Sequence, residues 1–343
     1  MKFNLLPLFV VITVLLFSSC SNRNQTSMMK NVTGKAGELV VVIAPEAWNA
    51  EPGNMIREVL GQPHLSLPQD EPIFDLINIP HEAFGEIFRT SRNLVIARIG
   101  SNVEETGVLF KRDVNAYTQA VLYVNAKNYA QAANLIRENS DRIAGFFIRA
   151  ERDRLVLNYT KYHDRGVSNL VAERFGVTIK VPPGFKVEEN KEDFMWIKFE
   201  TPAISQGILV YSFPYEDDST FTANFMIAKR NIILRDYVPG PLDGSYMTTE
   251  SELPVVYNAF RRNGNYTSEI RGLWRVENDF MGGPFISLSM LDLLNNRVVV
   301  LDAYVYAPGT DKRNLLRQVE AMIYSAEFVN QEEIDKVNVQ FEL

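Results

Sequence analysis

Apolar and polar positions follow two rhythms along the chain, and the rhythm changes near residue 176. Before that point, short wholly apolar runs alternate with stretches of helical spacing. Glu38 to Ala44 (ELVVVIA), Ile73 to Ile79, Leu94 to Ile99 and Val121 to Val124 read as buried strands. Met55, Ile56, Val59 and Leu60 lie on one helix face that Gly61 closes, and residues 81–90 predict a second, short helix. A long helical region opens at Asn125 or Lys127. Its face runs through Tyr129, Ala132, Ala133 and Ile136 to Ile143, Phe146, Phe147 and Ala150. Asn139-Ser140-Asp141 can break it, with Ser140 as a cap, Asp164 to Gly166 is a firmer break, and Gly176 is a stop.

From Val177 the period becomes that of strands: VTIKVP, FMWIKFE and GILVYSFPY. A helix with Phe221, Phe225, Ala228 and Ile232 on its apolar face follows, then four long strands from VVYNAFRRN to RVVVLDAYVY. A closing helix buries Leu315, Leu316, Val319, Met322 and Ile323. Asn295-Asn296 suits a two-residue turn because Asn tolerates positive φ. That register sets Leu294 opposite Arg297, Ser289 opposite Asp302 and Ser287 opposite Tyr304. Ile286, Leu288, Met290, Leu301, Ala303 and Val305 then form a core face. Ser287, Ser289, Asp302 and Tyr304 share the other face, and Glu269 and Arg271 on the preceding strand are candidates to join them. An exposed polar-aromatic sheet face is the expectation, either an ordinary solvated face or a patch able to hydrogen-bond a ligand or partner.

The beginning of the chain has its own pattern. Lys2 precedes an apolar run, Leu5 to Phe17, that is too short for a bilayer core needing about 20 residues. Small residues Ser18 and Ser19 follow, then Cys20, the one cysteine of the chain. This is the layout of a secretory signal, and FSSC resembles a bacterial lipobox, with Phe17 where leucine is usual. The resemblance implies cleavage before Cys20, lipidation at Cys20 and a partner in the lipid bilayer. Cleavage removes Lys2, so the mature formal charge goes from -7 to -8. The expected organisation is a signal peptide at 1–19 and a flexible tether at 20–35. Two domains follow, 36–176 and 177–328, and then a tail at 329–343. The residues after Cys20, SNRNQ, lack the acidic cluster of surface-exposed lipoproteins from Bacteroidota-type bacteria. A periplasm-facing place on the outer membrane is therefore expected.

Composition narrows the chemistry. No Lys/Arg block marks a nucleic-acid surface, and one cysteine excludes an intrachain disulfide. His64, His81 and His163 share no metal-ligand spacing, and no nucleophile elbow or phosphate loop is present, so no metal and no cofactor is expected. Asp218-Ser219-Thr220 matches the triplet used for O-glycosylation in Bacteroidota, which makes Ser219 a candidate acceptor.

The fold class expected is α+β: a mixed α/β domain with a long helical region, then an antiparallel sheet with packed helices. VTIKVPPGF, a Trp-containing strand, long strands and the closing IYSAEF resemble the PsbP-like α/β/α fold, which serves binding and assembly and has no common catalytic site. GELVVVIAPEAWN and FRTSRNLVIARI resemble an uncharacterised Bacteroidota envelope lipoprotein family, a domain of unknown function. Two functions remain open. One is a non-catalytic binding or assembly role, with an envelope protein as possible partner. The other is an envelope hydrolase using carboxylate acid and base in an interdomain cleft.

Overall fold

A computed structural model of the protein describes residues 29–329. The expected signal segment, Cys20 and the expected tail from residue 330 lie outside the described residues. The fold is α+β, with two sheets of different construction. The first sheet has the order β2-β1-β3-β5-β4, from β1 (Glu38–Val42), β2 (Asp75–Ile79), β3 (Asn93–Ile99), β4 (Gly107–Arg112) and β5 (Ala120–Ala126). Its first four strands are parallel and β4 runs antiparallel at the edge. Helices α1 (Pro45–Trp48) and α2 (Glu51–Leu60) follow β1, and a short α3 (Glu86–Arg89) precedes β3. Then come α4 (Tyr129–Glu138), α5 (Ser140–Lys161) and α6 (Arg165–Phe175). Leu39, Val41, Val95 and Leu122 meet Ile56, Leu60, Ile136 and Phe147 in one core. Each such side chain contributes about 1.5–3 kcal/mol by leaving water. β1 and β3 are buried on both faces, which is why they read as unbroken apolar runs. β4 has an exposed, mixed pattern and gave no such run.

The helical breaks have local causes. α4 ends at Asn139, and α6 starts where the Asp164 carboxylate accepts the Val167 N–H at 3.1 Å. Gly176 ends α6 in the left-handed region, with φ of 66°. The expected cap Ser140 is instead the first helical residue, and Asn139 holds the N-cap position without a side-chain bond. The tether expected through residue 35 also stops earlier. The Tyr117 N–H bonds to the Lys30 carbonyl at 2.8 Å, and Thr33 exchanges backbone bonds with Thr90 and Arg92. Unpaired backbone groups beside the sheet capture this stretch.

The second sheet is antiparallel throughout, with the order β10-β12-β13-β14-β9-β8-β7 and β11 on the other end of β12. Its strands are β7 (Lys186–Asn190), β8 (Phe194–Glu200), β9 (Ser205–Pro214), β10 (Met247–Thr249), β11 (Val256–Arg262), β12 (Asn265–Val276), β13 (Gly282–Asp292) and β14 (Arg297–Tyr306). A small ribbon pairs β6 (Val177–Thr178) with β15 (Glu327–Phe328). One face packs on α6 and on α8 (Arg313–Tyr324) through Ile208, Val210, Ile286, Leu288 and Leu301. The other is covered by α7 (Ala223–Tyr237).

The hairpin between β13 and β14 differs from its expected register by two residues. Asp292 pairs with Arg297, and residues 293–296 form a four-residue loop. The Asp292 carboxylate accepts from the Asn295 N–H and side-chain amide and from the Arg297 guanidinium, which selects the longer loop. Ser287 therefore faces Asp302, and Phe285 faces Tyr304. A shift of two leaves every side chain on its predicted face. The α7 stripe also differs. Met226, Arg230 and Leu234 are buried, whereas Ala228 is exposed and Ile232 is 47% exposed. Both sides of this helix are apolar, and Arg230 occupies a core position because a carboxylate awaits it.

Helix α8 joins the two halves. Its first turn receives Glu71 from the first half, whose carboxylate accepts the Lys312 N–H at 2.6 Å and the Arg313 N–H at 2.9 Å. Arg313 pairs with Asp75 at 2.7 Å, and Arg152 of α5 reaches Glu320 at 3.2 Å.

Candidate functional site

Helix α7 covers only part of its sheet face. Where it stops at Tyr237, the chain turns through Val238, Pro239, Gly240 and Pro241 and leaves the ends of β8, β9, β12 and β14 to wall a cavity of about 360 Å³. Trp196, Trp274, Tyr304 and Tyr306 line it, with Met247, Val276 and Met281 at an apolar end and Lys198, Glu200 and Ser205 at a polar one. Strand pairing explains this gathering. Lys198, Gly207, Tyr304, Phe285 and Gly272 form one row across five strands. Glu200, Ser205 and Tyr306 begin the next row, and Gly283 pairs with Trp274 across β13 and β12.

Glycines make room for the rings. A Cβ on Gly207 would stand 2.2 Å from the Tyr304 ring, and one on Gly272 would stand 2.8 Å from Phe285. Each large ring thus lies over a neighbour with no side chain. The Trp196 indole N–H donates to the Tyr304 hydroxyl at 3.1 Å, and the Trp274 indole N–H donates to the Val305 carbonyl at 3.2 Å. Burial raises the Tyr304 phenol pKa, against the opposing pull of its bonds to Trp196 and Ser205. Trp274 and Tyr304 meet edge to face at 5.6 Å. At the rim, Lys198 lies 2.9 Å from Glu200 and 5.1 Å from the centre of the Trp196 ring.

The structure disperses the sequence-derived patch. Ser287, Ser289, Asp302 and Tyr304 share a face as expected, but that face is interior. Ser287, Ser289 and Asp302 lie beneath α7, and Asp302 has no exposed surface. Its carboxylate binds Arg230 through Nε at 2.6 Å and Nη2 at 3.3 Å, and Arg230 Nη1 donates to Thr249 at 2.8 Å. Burial raises the Asp302 pKa, and Arg230 works against that rise. The expectation failed because alternation shows which residues share a face, not whether a helix covers it. Tyr304 alone reaches the cavity.

Glu269 and Arg271 point to the opposite face, where Arg271 bridges two carboxylates. Its Nε lies 2.8 Å from Glu269, and its Nη2 lies 3.1 Å from Glu320. Tyr324 donates to Glu269 at 2.5 Å. Both carboxylates are therefore engaged by one guanidinium. Burial alone would raise the Glu320 pKa, but Arg271 and Arg152 pull it down to about 2, so this carboxyl holds no proton to donate near neutral pH. Ser219 is exposed in the turn before α7, and its hydroxyl donates to Asp217 at 2.5 Å. His64 is half-buried at the junction, where Arg271 and Arg317 act on it. Among the described residues, no three His, Cys, Asp or Glu side chains gather for a metal ion, and no helix is long and apolar enough to cross a membrane.

Two family models match the chain. Residues 32–160 match a domain of unknown function (DUF8532), and residues 164–325 match another (DUF4837). Both descriptions support an uncharacterised family. No curated protein matches. Among solved structures, the Ran-binding protein Mog1p of Saccharomyces cerevisiae is similar at 11% identity and a TM-score of 0.30, over 46% of this chain and 92% of that one. LpqN of Mycobacterium tuberculosis, described as involved in cell envelope biogenesis, is similar at 12% identity and a TM-score of 0.29, over 45% of this chain and 83% of that one. Likeness of this degree assigns no role to any residue.

Sequence reasoning missed Trp196, Trp274 and Tyr306 as site residues. The overlooked signal was glycine inside long strands, at 207, 272 and 283, each beside an aromatic in the neighbouring strand.

Proposed function

We propose that this chain is a periplasm-facing lipoprotein of the cell envelope, held to the membrane through acylated Cys20. Its role is binding or assembly, carried by the aromatic cavity of the second sheet. The cavity is the observation that supports this reading: its rings are preset by glycine neighbours, so binding orders little. Lipidation contributes ~0.8 kcal/mol per buried CH₂, and the three acyl chains that the lipobox resemblance implies would make the anchor effectively permanent.

Two measurements test it. Cys20→Ser should abolish acylation and release the protein from the membrane fraction; a variant still fully acylated rejects the anchor. A photoreactive residue in place of Tyr306 in the anchored protein should give a reproducible adduct in cells, found as a discrete mass shift. Adducts only from a control position on the first half, such as exposed Ile87, would move the binding surface away from the cavity.

A further inference from the structure

The cavity's own chemistry restricts what it can hold, if it is the binding site as proposed above. We propose that it takes a neutral pyranose ring of an envelope glycan. The apolar C–H face of the sugar lies against the aromatic wall, and its hydroxyls meet the Lys198–Glu200 rim.

Five considerations carry this. The volume, about 360 Å³, is that of a small-ligand site rather than of a protein-docking groove. A cationic ligand would seek an aromatic face, but the Lys198 ammonium already occupies the Trp196 face, 5.1 Å from the ring centre. An anionic ligand finds Lys198 already engaged by Glu200 at 2.9 Å and flanked by Glu188 at 3.8 Å, a rim with an excess of negative charge. A proline-rich peptide needs aromatic N–H donors for its carbonyls, and both indole N–H groups are spent inside the fold. A wholly apolar chain would strip water from the ammonium and carboxylate at the rim without replacing it.

A sugar ring meets all of these conditions. Its C–H groups carry partial positive charge toward the negative faces of the rings. Its hydroxyls both donate and accept, so they can bond Glu200, Lys198 and the Tyr306 hydroxyl. That hydroxyl has no hydrogen-bond partner among the described residues. Met247 and Met281 close the apolar end, where an acetamido methyl would fit.

The test uses the full chain, with two of its three tryptophans in the cavity wall as reporters. Fluorescence and calorimetric titrations would use trimers of β-1,4-linked N-acetylglucosamine and of β-1,4-linked glucose, with choline and decaproline as opposing probes. At least one trimer should saturate the protein. Glu200→Gln and Tyr306→Phe, both at the rim, should each weaken it about tenfold, or ~1.4 kcal/mol, without changing the thermal midpoint. Absence of saturation by either trimer up to about 1 mM, less than ~4 kcal/mol of binding, would overturn the proposal. So would affinity unchanged in both variants, or saturation by choline or decaproline instead. Photo-adducts that persist from position 306 while both trimers fail would reject only the sugar. If those adducts are lost as well, the cavity as binding site is rejected too.

Discussion

At the scale of single residues, Asp302 and Arg230 show how burial reassigns a side chain. In the sequence Asp302 alternates with apolar neighbours, and Arg230 interrupts an apolar helix. In the fold they form a fully enclosed pair, with the guanidinium also 3.6 Å from the centre of the Phe285 ring. Removing one partner of such a pair leaves an uncompensated buried charge. Asp302→Ala should therefore cost about 3–5 kcal/mol in urea unfolding. Arg230→Met with Asp302→Leu should recover most of that loss, because apolar replacement of both partners is often neutral. A single substitution that proves silent would show that the pair does not hold α7. The alternation was legible at these residues. Their enclosure was not, because the covering helix presents an arginine at the contact.

At the scale of elements, α8 depends on a residue far from it in sequence. Its own N-cap position, Lys312, makes no side-chain cap, and Glu71 supplies two carboxylate bonds to the first turn instead. A carboxylate there also complements the positive end of the helix dipole. Glu71→Ala should cost about 0.5–2 kcal/mol, with faster hydrogen exchange confined first to the opening turn of α8. Uniform exchange along α8 would show that the cap is dispensable. The apolar face of this helix was readable, since Leu316, Val319, Met322 and Ile323 recur at helical spacing and are all buried. The faces of the late hairpin were readable too. Its loop length was not, because Asp292 decides it through bonds that the Asn-Asn pair does not announce.

At the scale of the whole molecule, the two halves meet over an ionised junction with one weak base inside it. Burial, then the Arg271 and Arg317 guanidiniums, push the His64 imidazole from 6.5 down to about 4, with Glu320 pulling the other way. The unfolded chain therefore takes up a proton before the folded one does. His64 favours the fold fully above pH 6.5, and that contribution is lost as pH falls from 6.5 toward about 4. The urea midpoint should drop between pH 7 and pH 5, and His64→Asn should make the drop smaller. An equal drop in the variant would assign the acid sensitivity to other groups.

The sequence by itself determined the strand and helix rhythms, the change near residue 176 and which side chains of the long strands share a face. These follow from periods of two and of 3.6, which are local properties of the backbone. It also placed a lone cysteine after a short apolar run, from which the anchor is argued. Only the tertiary structure decided that α7 hides Ser287, Ser289 and Asp302 and stops short of Tyr304 and Tyr306, and that Arg271 neutralises two facing acids. Such facts depend on which distant surfaces meet, and period carries no information about that. The cavity is where these non-local decisions converge: it opens at the end of one helix, against rings on β8, β12 and β14, with glycines on β9, β12 and β13 making room for large rings of the same face.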